Sequence, residues 1–147
     1  MNTINLNGKW NGYYELGMSY GNKLNGTKTK FSANLKEENG ELQGQCFDEV
    51  YEGNNIADIK GFFDGSMISF IKQYNDHIFI TDDGKRIVDI NSTHPEIEYT
   101  GYYNRAMKVF EGNWEMVTRV DILDIRGEKS IGERYLSGTW QMSKEKI

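Results

Sequence analysis

Lys72 and Asp48 are the residues whose type and placement could do chemistry. Both fall on the inward-facing set of a predicted strand, where a charge is costly unless it is paired. One predicted strand lies between them, so their strands stand roughly 9–10 Å apart. The expected register sets the small Ala57 beside Lys72, which lets the lysine reach across to the carboxylate. Two readings stay open. The pair is either a polar anchor for an anionic ligand or a proton-transfer group, or else it is a structural ion pair, buried or wetted at a barrel mouth.

Cys46 is the sole cysteine, with no histidine predicted beside it, and reads as a buried, inert thiol. The two histidines, His77 and His94, sit in one long connection without an obvious third metal ligand. Asp82-Asp83-Gly84 lacks the ligand spacing of a calcium loop. Phosphate-loop, dinucleotide, nucleophile-elbow and zinc-protease motifs are all missing. No catalytic residue, metal or cofactor is therefore expected. Trp10, Tyr14, Phe63, Phe70, Tyr103, Trp114 and Trp140 form an inward aromatic set. They would line a flat apolar pocket with hydroxyl and indole handles, or simply fill a core.

The elements that would position these groups are strands. The phrase apolar–x–Gly–x–apolar recurs at Leu6-Asn7-Gly8-Lys9-Trp10, Leu42-Gln43-Gly44-Gln45-Cys46 and Ile59-Lys60-Gly61-Phe62-Phe63. It returns at Tyr99-Thr100-Gly101-Tyr102-Tyr103, Phe110-Glu111-Gly112-Asn113-Trp114 and Leu136-Ser137-Gly138-Thr139-Trp140. A spacing of two puts the key residues on one side of a strand. Interior glycines suit a tightly coiled sheet in which rings cross bare backbone. The alternation predicts strands at 4–16, 27–36, 41–51, 55–64, 66–74, 96–104, 108–117 and 134–143. In up-and-down order they close an all-β, eight-stranded antiparallel barrel without exposed edges.

Turn chemistry sets an expected register. Asn39-Gly40 as a two-residue loop places Gly44 opposite Leu35. Asp64-Gly65 treated alike places Gly61 opposite Ile68, and pairing Tyr103 with Lys108 places Gly101 opposite Phe110 and Gly112 opposite Tyr99. Segment 75–95 reads as a small extra hairpin. Segment 118–133 either prolongs strands seven and eight or forms a flap, and either segment would be a lid or plain decoration.

The 147 residues read as one domain, 1–147, long enough for its own core. Aromatics at 13% favour β structure, and 16 glycines against one proline put the bends on glycine. A formal charge of −5 argues against nucleic acid and against anionic membranes. A lone free thiol and the lack of a signal-peptide pattern suit a cytoplasmic setting.

With its opening Gly8-Lys9-Trp10, the chain resembles the avidin-like and lipocalin-like (calycin) barrels, both of which begin on a G-x-W strand. Segments 31–46, 59–72, 99–103, 110–116 and 138–143 follow the order of an avidin meander. The resemblance implies a barrel that can hold a small ligand, but not biotin in particular. The place of the ureido-binding asparagine falls near Asn11-Gly12, that of the third-strand tyrosine is Cys46, and that of the late aspartate falls near Gly138. Trp114 alone matches a pocket tryptophan.

The expected function is thus non-catalytic binding of a small apolar or anionic ligand inside the barrel. Tyr14, Tyr103, Trp114 and Trp140 would be its walls, Lys72 its anchor, and Cys46 would stand at the third-strand position. The alternative is a protein-interaction barrel of inhibitor or immunity type, with a filled core and outward aromatics at Tyr13, Phe47, Tyr51, Phe62 and Tyr102, open to self-association. A barrel isomerase or cyclase ranks last, for want of an acid–base constellation.

Overall fold

The computed structural model describes residues 4–49, 56–74, 77–80, 86–89, 95–123 and 125–145, with backbone alone for 77–80, 86–89 and 119–123. Its strands in chain order are β1 (Gly8–Leu16), β2 (Lys28–Glu38), β3 (Glu41–Asp48), β4 (Ile56–Phe63) and β5 (Met67–Tyr74). They continue with β6 (His77–Ile80), β7 (Arg86–Asp89), β8 (Ile97–Asn104), β9 (Val109–Leu123) and β10 (Lys129–Lys144). Eight of them close an antiparallel barrel in the order β1-β10-β9-β8-β5-β4-β3-β2, while β6 and β7 pair as a separate ribbon. The barrel and the extra hairpin both follow the expectation. The 118–133 segment prolongs the last two strands, with Lys129 paired to Leu123. The Asp83-Gly84 turn and Tyr51 lie outside the described residues. Among those residues no helix is long and apolar enough to cross a membrane.

Strand alternation explains the core. Trp10, Tyr14 and Leu16 on β1, Phe31, Ala33 and Leu35 on β2, and Ile68, Phe70, Lys72 and Tyr74 on β5 are all buried at a spacing of two. β1 starts at Gly8 rather than residue 4, because Gly8 adopts a φ of 124° that interrupts an extended chain. The preceding Leu6 still turns inward, and its carbonyl accepts a hydrogen bond from Trp10 Nε1 at 2.9 Å.

Gly44 pairs with Leu35 as expected, but two other hairpins are shifted by two residues. Gly61 faces Phe70, and Phe63 faces Ile68. The reason is a longer turn: the Asp64 carboxylate accepts the backbone N–H groups of Ser66 and Met67 at 2.9 and 2.8 Å, and Gly65 takes a φ of 101°. Lys72 consequently pairs with Ile59, and Ala57 with Tyr74. At the β8–β9 hairpin Tyr103 pairs with Phe110, so Gly101 faces Gly112 and Tyr99 faces Trp114. There Asn104 Oδ1 accepts the Met107 N–H at 3.1 Å and Lys108 takes a φ of 58°. A slip of two keeps every side chain on its face, which is why burial still matches the alternation.

Two facing glycines leave bare backbone, and Trp140 covers it. Its Cζ2 lies 2.8 Å from where a Cβ on Gly101 would stand, and its Nε1 donates to the carbonyls of Thr100 and Asn113, each at 3.1 Å. A Cβ on Gly112 would sit 1.9 Å from the Thr100 carbonyl oxygen and 2.6 Å from Gly101 Cα. Backbone cannot retreat there without parting two strands. Gly112→Ala is expected to lower stability by ~1–3 kcal/mol, read as an earlier urea midpoint at unchanged slope. A wild-type midpoint would refute the close approach.

Candidate functional site

Five strands aim side chains at one point inside the barrel. β3 supplies Cys46 and Asp48, two residues apart on one face, and β5 supplies Lys72 and Tyr74 in the same way. β1 adds Tyr14, β2 adds Phe31 directly across from Asp48, and β8 adds Tyr99. Between β3 and β5, Ala57 pairs with both Cys46 and Tyr74, and its small side chain leaves the crossing open.

Lys72 Nζ lies 3.1 Å from Asp48 Oδ1, with the two side chains 2% and 0% exposed. Tyr14 OH donates to Asp48 Oδ2 at 3.3 Å, Tyr74 OH donates to the same oxygen, and Cys46 Sγ lies 3.9 Å from Oδ1. The ammonium stands over four rings, with centroids at 4.7 Å for Tyr14, 4.9 Å for Tyr74, 5.4 Å for Phe31 and 5.6 Å for Tyr99. A cation within about 6 Å of a ring face is attracted by the ring quadrupole, and more strongly when dry. The lysine is therefore held by one carboxylate and an aromatic cage.

Burial alone would push the Lys72 ammonium toward its neutral form. That is the largest single influence, but the groups facing the ammonium, Asp48 first and then Cys46, Tyr74 and Tyr99, together outweigh it and hold its pKa well above the ordinary lysine value. Burial pushes the Cys46 thiol up to about 12, and it raises the Tyr74 and Tyr99 hydroxyls as well. All four displacements carry the pKa values farther above pH 7. General acid–base work at pH 7 wants a pKa near 7, so Lys72, Cys46, Tyr74 and Tyr99 are poorly tuned for it. Among the described residues, no three His, Cys, Asp or Glu side chains come together as a metal site.

Little room remains in the lumen around this cluster. A void of about 10 Å³ is lined by residues that include Phe31, Cys46, Phe70, Lys72, Tyr99 and Met142. That is at the lower limit for a single water molecule. Toward the end where Leu16 leaves β1, the 17–27 connection folds Tyr20 and Leu24 onto the core, and the Tyr20 ring stands 6.0 Å from that of Trp114.

Of the expected ligand-binding residues, Tyr14, Cys46 and Lys72 converge in this cluster. Trp114 borders it, edge-on to Tyr14 at 6.2 Å, with its Nε1 donating to the Glu15 carbonyl at 3.2 Å. Trp140 belongs to the next layer, 5.6 Å from Phe70 and 5.5 Å from Tyr99. Tyr103 is half-buried beyond that layer, packed on Phe110 at 5.0 Å, and does not reach the cluster. The sequence pattern alone does not single out Tyr74 and Tyr99 as site residues. Their inward placement is legible there, since Tyr74 lies two residues after Lys72 and Tyr99 shares the inward parity of β8.

The arrangement can neutralise and wall off a charge, and it can lock five strands to one another. Compared with known proteins, the chain matches no family model, no curated protein and no solved structure.

Proposed function

We propose that this protein is a non-catalytic interaction barrel: a rigid, internally satisfied core that presents its outer surface to a protein partner. The observation that carries the reading is the close packing around Lys72, where the described residues leave a void of about 10 Å³. A drug-sized ligand needs about 300 Å³ or more, so binding inside would require rings such as Phe70, Tyr99 or Trp140 to move out of their layers. The polar groups that could have anchored such a ligand already satisfy one another.

The outer face supports the same reading. Phe62 and Tyr102 are 67% and 62% exposed, though rings of that size are usually covered. Met67 pairs with Tyr102 on the neighbouring strand and lies diagonal to Phe62, and the exposed Met107 sits on the adjoining turn. Glu41 stands opposite Phe62 and Glu111 opposite Tyr102, while the exposed Lys60, Arg105 and Lys108 add positive charge beside the same patch. A partner with an apolar hollow and a rim of mixed charge would fit it. Kinship with the calycin barrels, read from Gly8-Lys9-Trp10 and the meander order, belongs to this proposal too and would mean a calycin-like frame with its lumen filled.

Native mass spectrometry of freshly purified protein is expected to give the mass of the bare polypeptide, alone or in whole-number multiples. A photo-crosslinking residue at Tyr102 is expected to trap a defined protein in the native host, and the trapped product should vanish with Phe62→Ser but persist with Trp114→Ala. A retained small molecule that is lost in Trp114→Ala would replace this reading with interior ligand binding.

A further inference from the structure

Beyond the end of β1, the last two strands run on as a two-stranded arm. Leu16 pairs with Gly138 as the final β1–β10 partner, whereas β10 stays paired with β9 as far back as Lys129. Among the described residues, no strand pairs with the other side of β10 over 129–136. The direction of that edge follows from Ser137. Its carbonyl accepts the Gly17 N–H at 2.9 Å and its N–H donates to Ser19 Oγ at 3.0 Å, so the Ser137 backbone groups point away from β9. By strand alternation those of Tyr135, Glu133, Ile131 and Lys129 point the same way. This is an edge with donors and acceptors laid out for another strand, and it carries apolar residues where edges are usually blunted. Ile131 is 71% and Tyr135 69% exposed.

The sequence of the edge is complementary to itself. Antiparallel pairing of two copies about Ile131 sets Ile131 against Ile131, Lys129 against Glu133, and Glu128 against Arg134. Each residue of the first two sets is one whose backbone groups face the edge, so these sets form the hydrogen-bonded pairs that such a ladder requires. The neighbouring registers lack this match. Centring on Gly132 opposes Lys129 to Tyr135 and Ile131 to Glu133, and centring on Ser130 sets Arg126 against Arg134. We infer that the β10 edge is a self-recognition surface on which a second copy of this chain adds its own β10 antiparallel, with the two-fold axis at Ile131.

The inference is independent of the Phe62–Tyr102 patch. An edge this short buries less than the 1,200–2,000 Å² of stable interfaces, so the dimer forms in about the 10 µM to 1 mM range. Sedimentation velocity of the full chain across that range is expected to show a monomer–dimer equilibrium. Ile131→Pro removes an N–H that points to the edge and not to β9, which an edge strand tolerates. It should give monomer with unchanged far-UV circular dichroism. Lys129→Glu and Glu133→Lys each place like charges opposite one another twice per dimer, and each should weaken association about tenfold or more. The combination Lys129→Glu/Glu133→Lys restores opposite charges and should restore the dimer. A monomer throughout the range, or a dimer indifferent to Ile131→Pro, or failure of the charge-swapped double variant to recover, would each overturn the inference.

Discussion

Asp48→Asn is expected to lower stability by ~3–5 kcal/mol at neutral pH, a large share of the roughly 5–15 kcal/mol that holds a domain together. The substitution keeps size and hydrogen-bonding shape for Tyr14 and Tyr74, whose hydroxyls reach Asp48 Oδ2, but removes the charge 3.1 Å from Lys72 Nζ. The cage of Tyr14, Phe31, Tyr74 and Tyr99 stays and softens the loss. Rings alone offset roughly 0.5–2 kcal/mol, less than the desolvation of a buried ammonium. Lys72→Met/Asp48→Asn removes both charges and keeps an acceptor for the tyrosines. It is expected to recover most of the loss, giving a favourable coupling in a double-mutant cycle followed by tryptophan fluorescence in urea.

The pH response gives a second readout. Without the carboxylate, burial is the dominant influence on Lys72 and pulls its folded pKa below the unfolded value near 10.4. A depressed lysine takes up its proton more readily when unfolded, so Asp48→Asn should gain stability as pH rises toward 10. A loss under about 1 kcal/mol, with no reversal in pH dependence, would mean that the pair is wetter than its burial indicates.

Much of this architecture was legible because strand parity is local. Lys72 and Asp48 could each be placed inside from spacing alone, since inward parity does not depend on where a hairpin turns. What lay between them could not. Asp64 gathers two backbone N–H groups and lengthens its turn, and that moves Ile59 rather than Ala57 beside Lys72. A slip of two leaves no trace in the hydrophobic pattern.

The state of the lumen was hidden for the same reason. Gly101 and Gly112 each read as bare backbone beneath a facing ring, Phe110 for one and Tyr99 for the other. Only the register shows that the Trp140 ring lies across the pair and covers it. The aromatic cage was nearer to hand, because Tyr74 and Tyr99 share inward parity with Lys72. What spacing does not show is that four rings converge on a single nitrogen.

Alkali should unfold this barrel through its buried neutral groups before it reaches the ion pair. Burial, the largest influence on Cys46, lifts its thiol from 9.0 to about 12 in the folded chain. The unfolded chain therefore loses that proton first, and the native state binds more protons across the interval. Stability falls with pH wherever the native state holds the extra proton, by about 1.4 kcal/mol per pH unit for each such group. The Cys46 contribution is complete below about pH 9 and is lost as pH climbs toward 12.

From pH 10 upward Tyr74 and Tyr99, both raised chiefly by burial, add losses of the same sign. Lys72 joins them above its ordinary value of 10.5, because the groups facing it, Asp48 foremost, together overcome burial and keep it charged in the fold after the unfolded chain has released its proton. Three or four groups acting together give a slope of roughly 4–6 kcal/mol per pH unit, enough to exhaust an ordinary stability within about two units. Urea midpoints measured from pH 7 to 12 are expected to be level up to 9, to decline gently to 10, and to collapse beyond it. Cys46→Ala should flatten the decline between 9 and 10, and Tyr74→Phe should make the collapse shallower, whatever each does to stability at pH 7. Midpoints that stay level through pH 11 would show that the thiol and hydroxyls reach water, and that the lumen is open where its residues leave about 10 Å³.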